Sequence, residues 1–182
     1  VDEFQSVAAR PAFLARYDPE RFRQIVQLRA RNLELDEQTI APISDMPFIQ
    51  RLYLNRTRVG DKGLWHIGQL KNLERLSVWH SHITDDGIAA LGGCQNLVAL
   101  DVHATGVSDE GMKHLLPLAN LRELTVGEGV YGPGLKSIAA MKNLKRLDLT
   151  RSSVHFDQLH HLAGSSITEL SLHRRLPARL CD

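Results

Sequence analysis

Asn72 to Asn96 reads NLERLSVWHSHITDDGIAALGGCQN, and this stretch decides the fold. Leu73, Leu76 and Val78 are followed by Ile83, Ile88, Leu91 and Cys94, and Leu97 opens the same pattern again. With Leu73 as slot 1, the apolar slots are 1, 4, 6, 11, 16, 19 and 22. A step of 24 residues forward finds Leu97, Leu100, Val102, Val107, Met112, Leu115 and Leu118 in them. The same step back finds Ile49, Leu52, Leu54, Val59, Leu64, Ile67 and Leu70, and one more finds Ile25, Leu28, Ala30, Leu35, Ile40, Ile43 and Met46. Copies beginning at Leu121 and Leu144 are 23 residues long, and a seventh begins at Ile167 and stops after Leu170 and Leu172.

The spacing has a mechanical meaning. Slots 4 and 6 alternate, so their side chains leave one face of a short strand. Slots 16, 19 and 22 are three apart, as on the inner side of a helical turn. Each copy therefore predicts a strand, a turn and a short return helix or 3₁₀ segment. One copy cannot bury its apolar face alone, whereas stacked copies share a continuous core. Seven apolar slots per copy, at roughly 1.5–3 kcal/mol for each buried side chain, supply the driving force.

The punctuation agrees. Asn72, Asn96, Asn120 and Asn143 precede strands, where turns belong. Thr57, Ser81, Thr105 and Ser152 follow strands and can bond nearby backbone. Thr84 and Ser108 are placed to cap the return segments, with acids in the first turn. Gly63, Gly87, Gly111 and Gly134 recur at matching slots, which gives them a steric or conformational role.

The strings LERLSVWHSHITDDGIAAL and LVALDVHATGVSDEGMKHL resemble leucine-rich repeats. They are nearest the subclass written Leu-x-x-Leu-x-Leu-x-x-Thr-x-Val-Thr-Asp-x-Gly-Leu, common in bacterial repeat proteins and similar to the cysteine-containing repeats of F-box proteins. The resemblance covers about residues 25–176. It implies a right-handed α/β solenoid with a parallel sheet on its concave side, and protein recognition as the commonest role; the function expected of the chain is a non-enzymatic binding module. Three departures stand out. Residues 1–24 hold no F-box-like segment, so a ubiquitin-ligase role gains no support. Thr or Ser replaces the usual strand-end Asn. The copies at Leu121 and Leu144 each lack one residue.

The chain has 182 residues, 43% apolar and 24% charged, with a net charge of +1. That composition excludes a disordered chain. No apolar run approaches the roughly 20 residues of a membrane-spanning helix. Two cysteines, Cys94 and Cys181, cannot form a disulfide framework. The opening VDEFQSVAARP lacks the apolar core of a signal peptide, which leans toward a cytoplasmic setting. Residues 1–24 are expected to form a helical N-terminal cap by their Asp18-Pro19-Glu20 start signal, packing Phe4, Phe13 and Phe22 on the first repeat. Residues 25–176 are the repeat domain, of six full copies and a partial seventh, and 177–182 a tail. The C-terminal edge could pair with another copy of the chain, or the chain could be a structural segment of a larger protein.

Slots 3, 5 and 7 project from the other face of the sheet, the expected working surface. There Tyr53, Asn55, Trp79 and His103 should form one patch, bordered by Arg51, Arg75 and Asp101. Trp, Tyr and Arg are enriched at binding hot spots. The alternative is that neighbours simply cover Trp79. The first strands are basic and the later ones carry more acids, so a protein or peptide ligand would set an apolar anchor near Trp79 and acidic groups toward the N-terminal strands. The interleaved charges disfavour nucleic acid.

Other motifs compete with this reading. Gly127-Glu128-Gly129-Val130-Tyr131-Gly132 spells GxGxxG, and Asp148 lies about 20 residues on, as in a dinucleotide site. A nucleotide or enzymatic role at the 127–134 turn is therefore the rival function. Asp148 is also an ordinary slot-5 residue, however, and the return segment is short for a crossover helix. His80, His82 and His103 could converge, but no spacing matches a zinc motif, and no metal or cofactor is expected. His160 and His161 should point in different directions. Asp101 and Glu123, on adjacent strands, could approach one another. Cys94 takes an apolar slot and is expected to be an inert buried thiol. No set of residues stands out as catalytic.

Overall fold

The computed structural model describes residues 25–172. The expected N-terminal cap, and His173, Leu176, Leu180 and Cys181, lie outside the described residues. The elements follow the repeat: β1 (Gln27–Arg29), α1 (Glu37–Ile40), β2 (Arg51–Tyr53), α2 (Asp61–Ile67), β3 (Arg75–Ser77), α3 (Asp85–Ala90), β4 (Ala99–Asp101), α4 (Asp109–His114), β5 (Glu123–Thr125), α5 (Gly132–Ala139), β6 (Arg146–Leu149) and β7 (Glu169–Leu172). Short 3₁₀ turns extend α1 (Ala41–Asp45) and α3 (Leu91–Gly93), and Phe156–Leu162 is the whole return segment of the sixth copy. The seven strands form one parallel sheet in sequence order. Leu52 pairs with Leu28 and Leu76, and Leu100 with Leu76 and Leu124, so equal slots lie side by side.

The core is the set of repeating apolar slots. All seven slots of the copies beginning at Ile49, Leu73, Leu97 and Leu121 are buried, Cys94 among them. Burial fades toward both ends of the described stack. Leu28 and Leu35 are partly buried, as are Val154, Leu159 and Leu162. Every residue of β7 is exposed, with Leu170 and Leu172 near 40% and 39%.

Three rows of hydrogen bonds order the stack, two of them joining successive copies. Asn72, Asn96, Asn120 and Asn143 each donate Nδ2 to a carbonyl one copy back, at Pro47, Lys71, Gln95 and Ala119, over 2.7–2.9 Å. Thr57, Thr105 and Ser152 donate to the carbonyl three residues behind (2.9, 2.6 and 2.9 Å). Ser81 instead donates across the copies to Leu54, at 3.2 Å. Buried or half-buried hydroxyls thus satisfy carbonyls at the strand ends.

The third row corrects the sequence expectation. Thr84 makes no side-chain cap to its own helix, although Ser108 accepts from Glu110 N. The capping comes mainly from the preceding copy. Asp61 accepts from Thr84 N and Oγ1 (2.8 and 2.7 Å). Asp85 accepts from Ser108 N and Oγ (2.8 and 2.6 Å). Asp109 accepts from Tyr131 N and Gly134 N (2.7 and 2.9 Å). The recurrent glycines follow from this row. A Cβ on Gly87, Gly111 or Gly134 would collide with the Asp61, Asp85 or Asp109 carboxylate. At Gly63 the obstacle is Val59 instead. Their role is steric.

The two short copies lose their residue at different places. Asn32, Arg56, His80 and Ala104 occupy slot 8 of the first four copies, and all are left-handed, with φ of 57°, 56°, 56° and 52°. The copy at Leu121 is shortened here, and its Gly127–Gly129 segment has no left-handed residue. The copy at Leu144 is shortened at its end. There Ser166 places its hydroxyl 3.1 and 2.9 Å from the Met141 and Leu144 carbonyls, near where the next Asn would stand.

Candidate functional site

The face of the sheet away from the helices carries slots 3, 5 and 7. The predicted residues all sit on it, in two groups rather than one patch. The first centres on Trp79. Its ring stacks on His103 with centroids 5.2 Å apart and planes 11° apart. The Arg31 and Arg56 guanidinium groups lie 5.5 and 5.6 Å from its centroid. Trp79 and His103 are both half-buried, so the indole is neither sealed in nor bare. Such cation–π contacts are worth about 0.5–1 kcal/mol at exposed sites. Asp101 orients His103, accepting from its backbone N–H (3.2 Å) with Nδ1 2.7 Å away.

Asn55 departs from expectation: it is buried, at 5% exposure. Arg31 and Trp79 flank it in the slot-7 row and meet each other across it. Its amide oxygen lies 2.7 Å from the equally buried Ser77 Oγ, which lies 3.1 Å from Asp101 Oδ2. Ser77 has one proton for these two acceptors. With the Asn55 amide turned over, Nδ2 donates to Ser77 and Ser77 donates to Asp101, which ends the competition for that proton. Asn55 therefore supports the face from below and does not contact solvent.

The second group surrounds Ala99. Arg75 reaches across β4 to Glu123 on β5 and donates two bonds to it, of 3.0 and 3.2 Å. This hydrogen bonding holds the Arg75 guanidinium still more firmly in its charged form. Ala99 lies between them in the slot-3 row and has no side chain to block the span. Above it is a hollow of about 200 Å³, lined by Tyr53, Arg75, Ser77, Ala99, Asp101, Glu123 and Thr125. The network continues from Glu123 to Arg146 (3.7 Å) and from Arg146 to Glu169 (2.7 Å). Asp101 and Glu123 do not pair as carboxylates, because each is engaged by a different partner. Arg51 is exposed, and Arg29 covers the Tyr53 ring at 5.1 Å.

Comparison with known proteins fits this geometry. A family model described as a leucine-rich repeat matches residues 69–92, one period of the chain. Among solved structures, an internalin (inlF) from Listeria monocytogenes aligns with a TM-score of 0.61 at 18% identity, over 88% of this chain and 53% of that one. The fold is that of a leucine-rich-repeat solenoid. A plant peptide hormone receptor, RGFR1, in complex with RGF2, aligns with a TM-score of 0.54 at 20% identity, over 82% of this chain and 24% of that one. The chain thus spans about half of the internalin structure and a quarter of the receptor's. No curated protein matches its sequence.

The leucine-rich-repeat packing accounts for the GxGxxG string. A Cβ on Gly129 would meet the Val107 carbonyl, one on Gly127 the Ala104 backbone, and one on Gly132 the Gln158 side chain. The amides that would cradle a phosphate at the start of α5 already donate to Asp109. Each element of the motif is thus used between repeats. Among the described residues, no three His, Cys, Asp or Glu side chains are grouped to hold a metal ion. His160 and His161 do not diverge. Their rings meet with centroids 3.9 Å apart and planes tilted by 53°. Burial, then His160 and Lys136, hold His161 below the usual imidazole range. Burial pushes the Cys94 thiol up to about 11, consistent with an inert core residue.

Sequence reasoning missed two contributors to the face. Arg31 and Arg56 are counted in the sequence only as basic charge, yet they clasp Trp79. The left-handed slot 8 that turns Arg56 toward the indole carries no recurring Gly or Asn, so residue type gave no signal of it.

Proposed function

We propose that the chain is a protein- or peptide-binding module that uses the concave face of its sheet. The observation that carries this reading is the Trp79 platform: an indole on the open sheet face, stacked on His103 and held by two arginines. Arg51, Tyr53, Arg75, Asp101 and His103 border it, with Asn55 beneath. A tryptophan kept half-exposed costs solubility, and its restraint leaves little side-chain entropy to lose on contact. The alignment with a peptide hormone receptor supports a peptide or protein ligand in general.

Charge adds direction. Arg29, Arg31, Arg51 and Arg56 lie along the first two strands, and none is ion-paired within the described residues, while Arg75 is neutralised by Glu123. The acidic part of a ligand therefore belongs over β1 and β2. Trp79→Ala should remove most specific capture from a lysate of the source cell, and Arg51→Glu should weaken it further, while thermal stability changes little. Equal capture by wild type and both variants refutes the reading.

A further inference from the structure

We propose that the hollow above Ala99 receives a lysine or arginine side chain of the bound peptide. The inference rests on the concave-face reading and makes it more specific. Slot 3 carries Gln27, Arg51, Arg75, Glu123, Arg146 and Glu169 in the other copies, all long polar residues. Ala99 alone is short, and it opens the row at the middle of the sheet. The space, about 200 Å³, suits one side chain rather than a whole small ligand.

Its chemistry favours a cation. Asp101 and Glu123 stand on its walls with half-buried side chains, 28% and 31% exposed. Arg75 is the only basic group in the lining, and its charge is committed to Glu123 through two bonds. Asp101 has a serine hydroxyl on Oδ2 and two His103 nitrogens on Oδ1 as partners, which leaves Oδ2 able to accept one bond more. The Thr125 hydroxyl and the Tyr53 ring complete a lining that can accept donors and flank an aliphatic stem. From β3 to β7 the strands and the residues just after them hold Asp101, Glu123, Glu128, Asp148 and Glu169 against Arg75, Arg146 and Arg151, whereas β1, β2 and the residues just after them hold four arginines and no acid. The face is therefore an electric dipole. Its complementary ligand carries acids at one end and a base at the other, with the Trp79 platform near the crossover.

A random twelve-residue peptide library displayed on phage, panned on the intact protein, tests this. Enriched sequences should combine a run of Asp or Glu with a separate Lys or Arg. Synthetic copies should lose about tenfold in affinity on Ala99→Leu, which fills the hollow and intrudes on the Arg75–Glu123 span, and again on Asp101→Asn, which keeps its shape and removes its charge. Replacing the peptide cation with norleucine should cause the same loss in wild type and no further loss in Ala99→Leu. Thermal melts identify any variant that fails to fold, and the norleucine peptide tests the hollow with no variant at all. Peptides that depend on Trp79 but carry no cation, or that ignore Ala99→Leu, overturn the hollow and leave the concave-face reading standing. Binders indifferent to both sites, or no enrichment, overturn both.

Discussion

The inter-repeat carboxylate row makes a sharp prediction about Asp61 and Gly87. The three heavy atoms that a Cβ on Gly87 would meet first all belong to Asp61. Gly87→Ala alone should therefore overpack, at a cost of about 1–3 kcal/mol, partly offset by roughly 1 kcal/mol gained when Ala replaces Gly inside α3. Asp61→Ala alone leaves Thr84 N–H and its hydroxyl without their acceptor, which costs about 0.5–2 kcal/mol, as for a lost helix cap. The double variant removes the object of the clash. The helix gain then survives while the overpacking does not, so the pair should be less destabilised than the sum of the singles by about 1–2 kcal/mol. Gly92→Ala is the control, because nothing lies within 4 Å of a Cβ there. Urea unfolding followed by far-UV circular dichroism reads the cycle, provided the four proteins share one m-value. Additivity within about 0.5 kcal/mol would refute the steric explanation of the glycines.

Two further outcomes follow from the core. Leu100→Ala empties a site that is 2% exposed in the middle of the sheet, and should cost about 2–5 kcal/mol. Amide exchange should show β3 and β5 losing protection with β4, since each copy is held by its neighbours. The Cys94 thiol, pushed up to about 11 by burial, should resist alkylation at pH 8 until urea opens the core. The unfolded chain's thiol ionises at lower pH than the folded one's. Ionisation therefore favours unfolding, and the stability contribution of Cys94 should fall as pH rises from the ordinary thiol range toward 11. Cys94→Ala should flatten that part of the pH profile, and an unchanged slope would count against the burial argument.

The fold was legible because one signal repeated. Slots 4, 6, 16, 19 and 22 report directly on what is buried, and apolar residue type tracks burial well. The face was only half legible. Residue type placed Tyr53, Trp79, Arg75 and Asp101 on it, since alternation along a strand fixes which side a residue takes. Alternation cannot say how far a long side chain reaches. Arg31 spans to Trp79 and closes over Asn55, and Arg75 spans to Glu123 and frames the space above Ala99. Both arches cross an intervening strand, a relation invisible to any rule about adjacent positions. The carboxylate row was hidden for a similar reason. Asp85 and Asp109 read as first-turn acids serving their own helices, and local rules do not show that the next copy's amides lie closer.

These arches also decide which parts of the face have interaction energy left to offer a ligand. A group already bonded to its neighbour gains little from a partner, because binding only exchanges one good contact for another. Arg75 and Arg146 are in that position, each held by Glu123 or Glu169. They set the shape of the face and keep side chains ordered, which spares about 0.5–1.5 kcal/mol for each one that would otherwise be fixed on binding. Arg31 and Arg56 differ. They are restrained by the Trp79 ring rather than by a described carboxylate. An aromatic face orders a guanidinium without consuming its hydrogen-bond donors. Among the described residues, these two arginines are thus both pre-positioned and chemically unspent. Specificity should concentrate where such groups stand beside the indole, and the ion-paired rows toward β6 and β7 should tolerate substitution.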